Sequence, residues 1–125
     1  SDFRRIFFNG ELLTFADFNR EHARCLTFLK EAVSCSKAKK KIVVTHHVPS
    51  FQMQCPKFAD SQANGAFTVE LEDYIKDSGI DFWIYGHSHY NVDVRIGNTM
   101  CISNQLGYVF HGEHESFDPC KNIEV

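Results

Sequence analysis

Two closely spaced pairs of histidines are the residues of this chain whose types and spacing could do chemistry. His46 and His47 are adjacent in "KIVVTHHVPS", and His87 and His89 are separated by one residue in "FWIYGHSHYN". Each pair follows a short run of large apolar residues. Neutral imidazoles bind Zn, Fe, Mn or Ni, and converging histidines commonly hold a catalytic transition metal. If the two pairs meet in the fold, they predict a metal site.

Each histidine taken alone has a plainer interpretation. An isolated His-His or His-x-His pair is usually two exposed or hydrogen-bonded side chains, and only the repeated placement after a buried strand favours a metal. His22 lies beside the apolar face of a predicted helix, which indicates a structural role. His111 and His114 flank Gly112 in an irregular tail, where solvated loop residues are the favoured interpretation and a place in the pocket is the alternative.

The elements around these pairs predict that they meet. The pattern gives, in order, a strand at 41–45, a loop at 47–66, a helix at 67–78 and a strand at 80–86. Both strands are continuously apolar, which is typical of strands buried on both faces. In such a βαβ unit the strands are parallel and their carboxyl ends share one edge of the sheet. Ligands bind at that edge in open α/β sheets.

The rest of the chain shows further helix and strand signals. Asn9-Gly10 predicts a tight turn between two strands, and Gly97-Asn98 predicts another. A helix is predicted at about 15–34, with Thr14 as its cap and Asp17 completing a capping box. The ending "NIEV" could form a last strand.

The totals indicate a single globular domain and exclude several function classes. The chain has 125 residues, 43% hydrophobic and 23% charged, with a net charge of −3. This charge does not suggest a nucleic-acid partner, and the basic run at 37–41 is interpreted as a solvated connector. Five cysteines without a C-x-x-C pair favour reduced thiols in a cytoplasmic protein. No stretch of about 20 apolar residues predicts a membrane span.

The start of the chain suggests a piece of something longer. It begins at Ser1 without a methionine, and "SDFRRIFFNG" reads as the interior of a sequence. We therefore expect a parent protein with residues upstream of Ser1.

At its histidine pairs the chain resembles the calcineurin-like metallophosphoesterase family. "VVTHHVPS" and "GHSH" match the last two of the five short motifs of that family, in the same order and with a helix between them. "ISNQLGY" followed by "FDPCKNIEV" is similar to the ending of a bacterial branch. The resemblance covers nearly the whole chain, as the C-terminal half of a bacterial-type member.

The resemblance implies an α/β fold, the C-terminal half of a four-layer α-β-β-α sandwich, with residues 1–125 forming a single domain or half-domain. It also implies two divalent metals, of which His46 and His87 would bind one and His89 the other. His47 would contact a ligand or face the substrate, as a catalytic residue. The metals could be Mn, Fe, Zn or Ni, and the substrate a phosphoester.

The chain departs from the family by lacking its first three motifs. Those motifs supply the bridging aspartate, the asparagine and the acid/base histidine. We therefore expect phosphoester hydrolysis by the intact parent and no activity from this chain alone, with the missing N-terminal half or a second copy as partner. Two alternatives stay open: a non-catalytic metal-binding or scaffold module, and a mononuclear zinc hydrolase that uses His46, His87 and His89.

Overall fold

The computed structural model describes residues 2–58, 61 and 64–124, and the chain divides into two compact units. The first unit is Ser1–Lys37 and the second is Ala38–Val125. Both predicted histidine pairs lie in the second unit. The assignment of residues 1–125 to one domain or half-domain stays a prediction.

The first unit contains a short hairpin and a long helix. After a turn of 3₁₀-helix at Asp2–Arg4, strands β1 (Phe7–Phe8) and β2 (Glu11–Leu12) pair antiparallel. The turn between them has positive φ at Asn9 and Gly10, as the sequence predicted.

The helix of the first unit, α1, spans Phe15–Cys35 and confirms the predicted boundaries. Its start is fixed by a capping box, in which the Thr14 hydroxyl accepts from the Asp17 N–H at 3.1 Å and the Asp17 carboxylate accepts from the Thr14 N–H at 3.1 Å. These bonds satisfy amides that a helix start otherwise leaves without partners. The predicted cap is therefore confirmed in both directions.

The second unit is built on a four-stranded sheet with the order β3-β4-β6-β5. Its strands are β3 (Ile42–Val44), β4 (Phe82–Tyr85), β5 (Val94–Ile96) and β6 (Thr99–Ser103), and helix α2 (Glu72–Asp77) lies between β3 and β4 in the chain. Strands β3, β4 and β6 are parallel, whereas β5 pairs antiparallel with β6. The predicted parallel pair and the predicted hairpin at Gly97-Asn98 are both confirmed.

Two predicted elements are shorter or absent. The helix predicted at 67–78 begins only at Glu72, because residues 67–71 run extended beside the loop after β3. There Val48 donates to the Phe67 carbonyl at 3.1 Å, and Val69 donates to the Val48 carbonyl at 2.9 Å. The predicted last strand "NIEV" is not formed by residues 122–124, and Val125 lies outside the described residues.

The long loop predicted at 47–66 is confirmed for its described residues, 47–58, 61 and 64–66, with local structure of its own. It contains short turns of 3₁₀-helix at Phe51–Met53, Pro56–Phe58 and Asn64–Ala66. Its beginning is anchored, since Val48 and Ser50 are fully buried.

The sheet is buried on one face, which corrects the expectation of strands buried on both. The strand registers place Val43, Trp83 and Cys101 side by side on the buried face, where the Thr99 hydroxyl also lies 3.3 Å from the Ile75 carbonyl of α2. The opposite face is largely apolar and unevenly covered, since Val44 is 69% exposed whereas Ile102 is buried. The side chains on this outer face are Ile42, Val44, Phe82, Ile84, Arg95, Met100 and Ile102.

All five cysteines are described and none forms a disulfide, as expected. Cys101 lies in the buried face of β6, and burial raises the pKa of its thiol to about 11. Within the described residues, neither helix combines the length and the apolar character that crossing a bilayer requires.

Candidate metal centre

The parallel pairing of β3 and β4 brings His46 and His87 into direct contact. Beyond the last paired residues, the ladder continues through Thr45, whose N–H donates to the Ile84 carbonyl at 2.9 Å. The Gly86 N–H then donates to the His46 carbonyl at 3.1 Å. As a result, the Nε2 atom of His46 lies 2.9 Å from the Nδ1 atom of His87.

The first histidine loop is tied to the core by Trp83. The indole N–H of this fully buried residue donates to the Thr45 hydroxyl at 2.9 Å, and that hydroxyl donates to the His47 carbonyl at 3.0 Å. A buried indole needs such a partner, because an unpaired polar group in the core is costly. The packing of β4 therefore fixes the backbone that carries the first pair.

The second histidine loop adopts an unusual backbone conformation. His87 and His89 both have positive φ, 70° and 50° respectively, in the left-handed region that residues with a side chain rarely occupy. The loop is held by Gln105, whose side-chain oxygen accepts from the His89 N–H at 2.8 Å. Asn91 in turn accepts from the Gln105 N–H at 2.6 Å. A left-handed backbone at a residue with a side chain costs free energy. It persists where the surrounding structure enforces it, often at functional sites.

His89 points one ring nitrogen at a carboxylate. Its Nδ1 atom lies 2.9 Å from Oε2 of Glu113, and the ring of Tyr108 packs edge-on against the imidazole with centroids 4.8 Å apart. The Tyr108 N–H donates to the same carboxylate oxygen at 2.6 Å. This backbone hydrogen bond, followed by the one from His89, lowers the pKa of Glu113 from its usual value.

His47 packs against the other two imidazoles of the cluster. Its ring centroid is 5.4 Å from that of His46 and 4.8 Å from that of His87, in edge-on arrangements. Its side chain does not line the neighbouring cavity in the described part of the chain. Its catalytic role stays a prediction.

A cavity of about 550 Å³ opens beside the histidines, and Phe58, Phe67 and Tyr108 form part of its wall. Phe67 stacks on the imidazole of His87 with centroids 4.7 Å apart. Among the described lining residues there is no lysine or arginine, and Glu113 is the carboxylate. The lining residues are His46, Gln54, Cys55, Phe58, Ser61, Asn64, Phe67, Thr68, His87, Ser88, His89, Tyr108 and Glu113.

These donors fit part of a metal site. The facing nitrogens of His46 and His87 are close enough to bind one ion together, since zinc–nitrogen bonds are about 2.0–2.1 Å long. However, nowhere in residues 2–58, 61 and 64–124 do three His, Cys, Asp or Glu side chains gather in positions to hold an ion. The mononuclear interpretation with His46, His87 and His89 therefore receives no support from the geometry.

Several residues of this region were missed by the sequence reasoning. The pattern singled out His111 and His114 in the tail, whereas the structure brings their neighbour Glu113 to the site. Gln105 and Phe67 were likewise not singled out. Gln105 lies within the quoted ending "ISNQLGY", but that resemblance gave it no role, and the positions of these residues depend on tertiary contacts of irregular segments.

The fold is mixed α/β, with its histidines at the carboxyl edge of parallel strands, where α/β proteins bind ligands. The family model of the calcineurin-like phosphoesterases matches residues 5–91, which is more than half of the chain and includes both histidine pairs. The chain belongs to this family, as the motifs indicated.

One curated relative is considerably longer than this chain. Uncharacterized protein L509 of Acanthamoeba polyphaga mimivirus is 28% identical over 120 residues, which cover 90% of this chain and 41% of that protein. The chain thus spans less than half the length of this relative. No solved structure matches the chain.

Proposed function

We propose that this chain supplies histidine ligands for metal-dependent phosphoester hydrolysis by the intact protein. The observation that carries the proposal is the 2.9 Å approach of His46 Nε2 and His87 Nδ1 at the ends of adjacent parallel strands. Both residues fall within the match to the phosphoesterase family. In this proposal His46 and His87 hold one divalent ion and His89 helps to hold a second, with His47 beside them.

The metals, when bound, supply Lewis-acid activation of water and of the phosphoryl group. The described residues of this chain hold the metal ligands in place and line the cavity. The backbone ladder fixes the two imidazoles, and Phe67 stacks on His87 along one wall of the cavity. No lysine or arginine among the described lining residues would neutralise phosphate charge, so that task falls to the metals.

The exposed apolar face of the sheet supports the four-layer sandwich. Six apolar side chains share this face, and Val44 and Ile42 are 69% and 42% exposed. A sheet face of this kind normally packs against another layer. We propose that a second sheet from the intact protein covers it and also brings the carboxylates that a dinuclear site needs.

It follows that the isolated chain is inactive. The described residues bring together no three metal-binding side chains, and neutral imidazoles alone do not offset the charge of two divalent ions. In this proposal the intact protein determines the substrate, supplies the second half of the site and selects among Mn, Fe, Zn and Ni. We also propose that the intact protein is cytoplasmic.

The test is metal content and hydrolysis of bis(p-nitrophenyl) phosphate by the full-length protein. Single His46→Ala and His87→Ala variants should each lose most of one metal equivalent and at least about tenfold in turnover, because each removes a ligand of the same ion. His22→Ala is the matched control, since His22 lies on α1 in the other unit. Full metal content and unchanged turnover in both site variants would overturn the proposal.

The scaffold alternative is favoured by one observation, the absence of a three-ligand cluster in the described residues. In that case the family fold serves as a binding surface without hydrolysis. Full-length protein that folds, binds no Mn²⁺ or Zn²⁺ and hydrolyses neither a monoester nor a diester would favour the scaffold.

A further inference from the structure

The contact between His89 and Glu113 defines which nitrogen of the imidazole carries hydrogen. A neutral imidazole has one N–H donor and one acceptor nitrogen, whereas an ionised carboxylate can only accept. Because His89 Nδ1 lies 2.9 Å from Glu113 Oε2, Nδ1 must be the donor. The lone pair of neutral His89 is then on Nε2.

Glu113 is itself held in place by the backbone. Its Oε2 atom also accepts from the Tyr108 N–H at 2.6 Å. The preceding Gly112 is in the left-handed conformation that begins the short 3₁₀ turn Glu113–Ser116. The carboxylate therefore does not depend on His89 alone for its position.

Gly107 makes the close approach of these two segments feasible. It has φ of +62°, and a Cβ atom at this position would lie 2.6 Å from Cβ of Glu113 and 3.2 Å from Cβ of His89. Any side chain here would push the carboxylate and the imidazole apart. The glycine thus serves the contact by both its conformation and its lack of a side chain.

His89 is fixed from other sides as well. Gln105 holds its backbone N–H, and Tyr108 packs edge-on against its ring. The Glu113 carboxylate and the Tyr108 ring therefore orient the imidazole, and the Gln105 amide holds the backbone that carries it. It also lines the cavity, as does Glu113. Metal-binding histidines commonly donate their second ring N–H to a carboxylate, which sets the tautomer and orientation.

We propose that Glu113 is a positioning residue that holds His89 as the Nδ1–H tautomer and so leaves Nε2 free to bind a divalent metal. The metal part rests on the function proposed above. His87 would use the other ring nitrogen, since its Nδ1 faces His46 and the ion that the two would share. The two histidines of one short motif would then present different ring nitrogens to their ions.

The tautomer can be read without any metal. Long-range ¹H–¹⁵N correlation spectra of the 125-residue chain, with chelator and at a pH where imidazole is neutral, distinguish the two tautomers of each histidine. We expect Nδ1–H for His89 in the wild-type chain. In Glu113→Ala we expect a shift towards the Nε2–H form that free histidine favours. A wild-type His89 found as Nε2–H would overturn the proposal.

Two variants guard against a simple loss of structure. Glu115→Ala is the matched control, because Glu115 is an exposed carboxylate two residues away, and it should leave the His89 tautomer unchanged. Glu113→Asp should keep a carboxylate and restore the Nδ1–H form in part. A wild-type tautomer in Glu113→Ala would contradict the positioning role.

The metal readout separates this inference from the proposed function. In the full-length protein, Glu113→Ala should weaken binding of one Zn²⁺ or Mn²⁺ by about 10–100-fold. If the tautomer behaves as expected and the wild-type protein binds no metal, the proposed function fails and the positioning of His89 stands. If metal binds and the tautomer is wrong, the role of Glu113 fails alone.

Discussion

At the residue scale, His46 and His87 behave as one unit in this fold. Their nitrogens face each other at 2.9 Å, so removing either ring takes one of two ligands from the ion proposed to lie between them. We expect the metal affinity of the His46→Ala, His87→Ala double variant to fall much less than the sum of the single effects. Calorimetric titration of the full-length protein with Zn²⁺ measures this. Pairing His46→Ala with His22→Ala should be additive, and additivity in both pairs would contradict a shared ion.

Asp81 provides a pH-dependent contribution to stability. Its carboxylate accepts from the Lys41 N–H at 2.9 Å, and this bond, with the nearby Lys40 ammonium at 3.2 Å, lowers the pKa of Asp81 below its ordinary value of 3.8. Folding therefore favours the ionised form of the Asp81 carboxyl group over its protonated form. The stabilisation is therefore present above pH ~4 and is lost as the pH falls through the lowered pKa.

We expect Asp81→Asn to reduce the loss of stability on acidification from pH 6 to 3, relative to the wild-type chain. Urea unfolding followed by circular dichroism at several pH values measures the effect. Asp77→Asn, at an exposed carboxylate on α2, is the control. A variant with the same acid dependence as the wild-type chain would show that Asp81 does not contribute.

Much of the histidine cluster could be predicted at this scale, and its surroundings could not. Short apolar runs ending in histidine, joined through a helix, require that His46 and His87 share one sheet edge. Gln105 and Glu113 come from a segment without periodicity. Their places depend on the course of the chain after β6, which no local pattern encodes.

At the element scale, α2 is anchored to the sheet by a buried hydroxyl. Thr99 is 1% exposed, and its Oγ1 donates to the Ile80 carbonyl at 2.7 Å and lies 3.3 Å from the Ile75 carbonyl. Thr99→Val keeps the shape but removes the donor. Because the Ile80 carbonyl then loses its 2.7 Å donor, whereas the Ile75 carbonyl keeps its bond from the Ser78 hydroxyl, we expect a loss of about 1–3 kcal/mol in unfolding free energy.

The matched control is Thr27→Val on the exposed surface of α1, where the hydroxyl donates to the Ala23 carbonyl at 2.9 Å. Water can replace that donor, so the change should stay within about 0.5 kcal/mol. Equilibrium unfolding in urea compares the two variants. Equal effects would mean that the Thr99 hydrogen bonds do not anchor α2.

The elements themselves were well predicted where local signals were strong. The capping box fixed the start of α1, and the Asn9-Gly10 and Gly97-Asn98 turns fixed the hairpins. Helix α2 was predicted too long because residues 67–71 have a helical apolar pattern. Their backbone instead bonds to the loop after β3, and this tertiary pairing replaces the local preference.

At the scale of the whole molecule, we expect the outer face of the sheet to drive self-association of the isolated chain. Val44 and Ile42 lie on the edge strand β3, and exposed apolar surface on an edge strand promotes association. We expect light scattering of the isolated chain to show a dimer or larger species. Val44→Lys should shift it towards the monomer.

A lysine at an exposed apolar site in the other unit is the appropriate control, and Phe28→Lys on α1 provides one, since Phe28 is 72% exposed. If Val44→Lys and Phe28→Lys reduce association equally, the outer face is not the specific contact. A wild-type chain that stays monomeric at high concentration would contradict the expected association.

Because Cys101 is buried, the alkylation of its thiol reports when the sheet opens. Its thiol is fully buried, with a pKa of about 11, whereas Cys25, Cys35 and Cys120 are exposed. Only thiolates react readily with alkylating reagents, so Cys101 should be modified when β6 leaves the sheet. In a pulse-alkylation experiment read by mass spectrometry, its labelling rate would follow the opening free energy of the β4–β6 pair. The candidate metal-binding edge could then be monitored from within, since we expect ion binding at the β3 and β4 ends to slow that labelling.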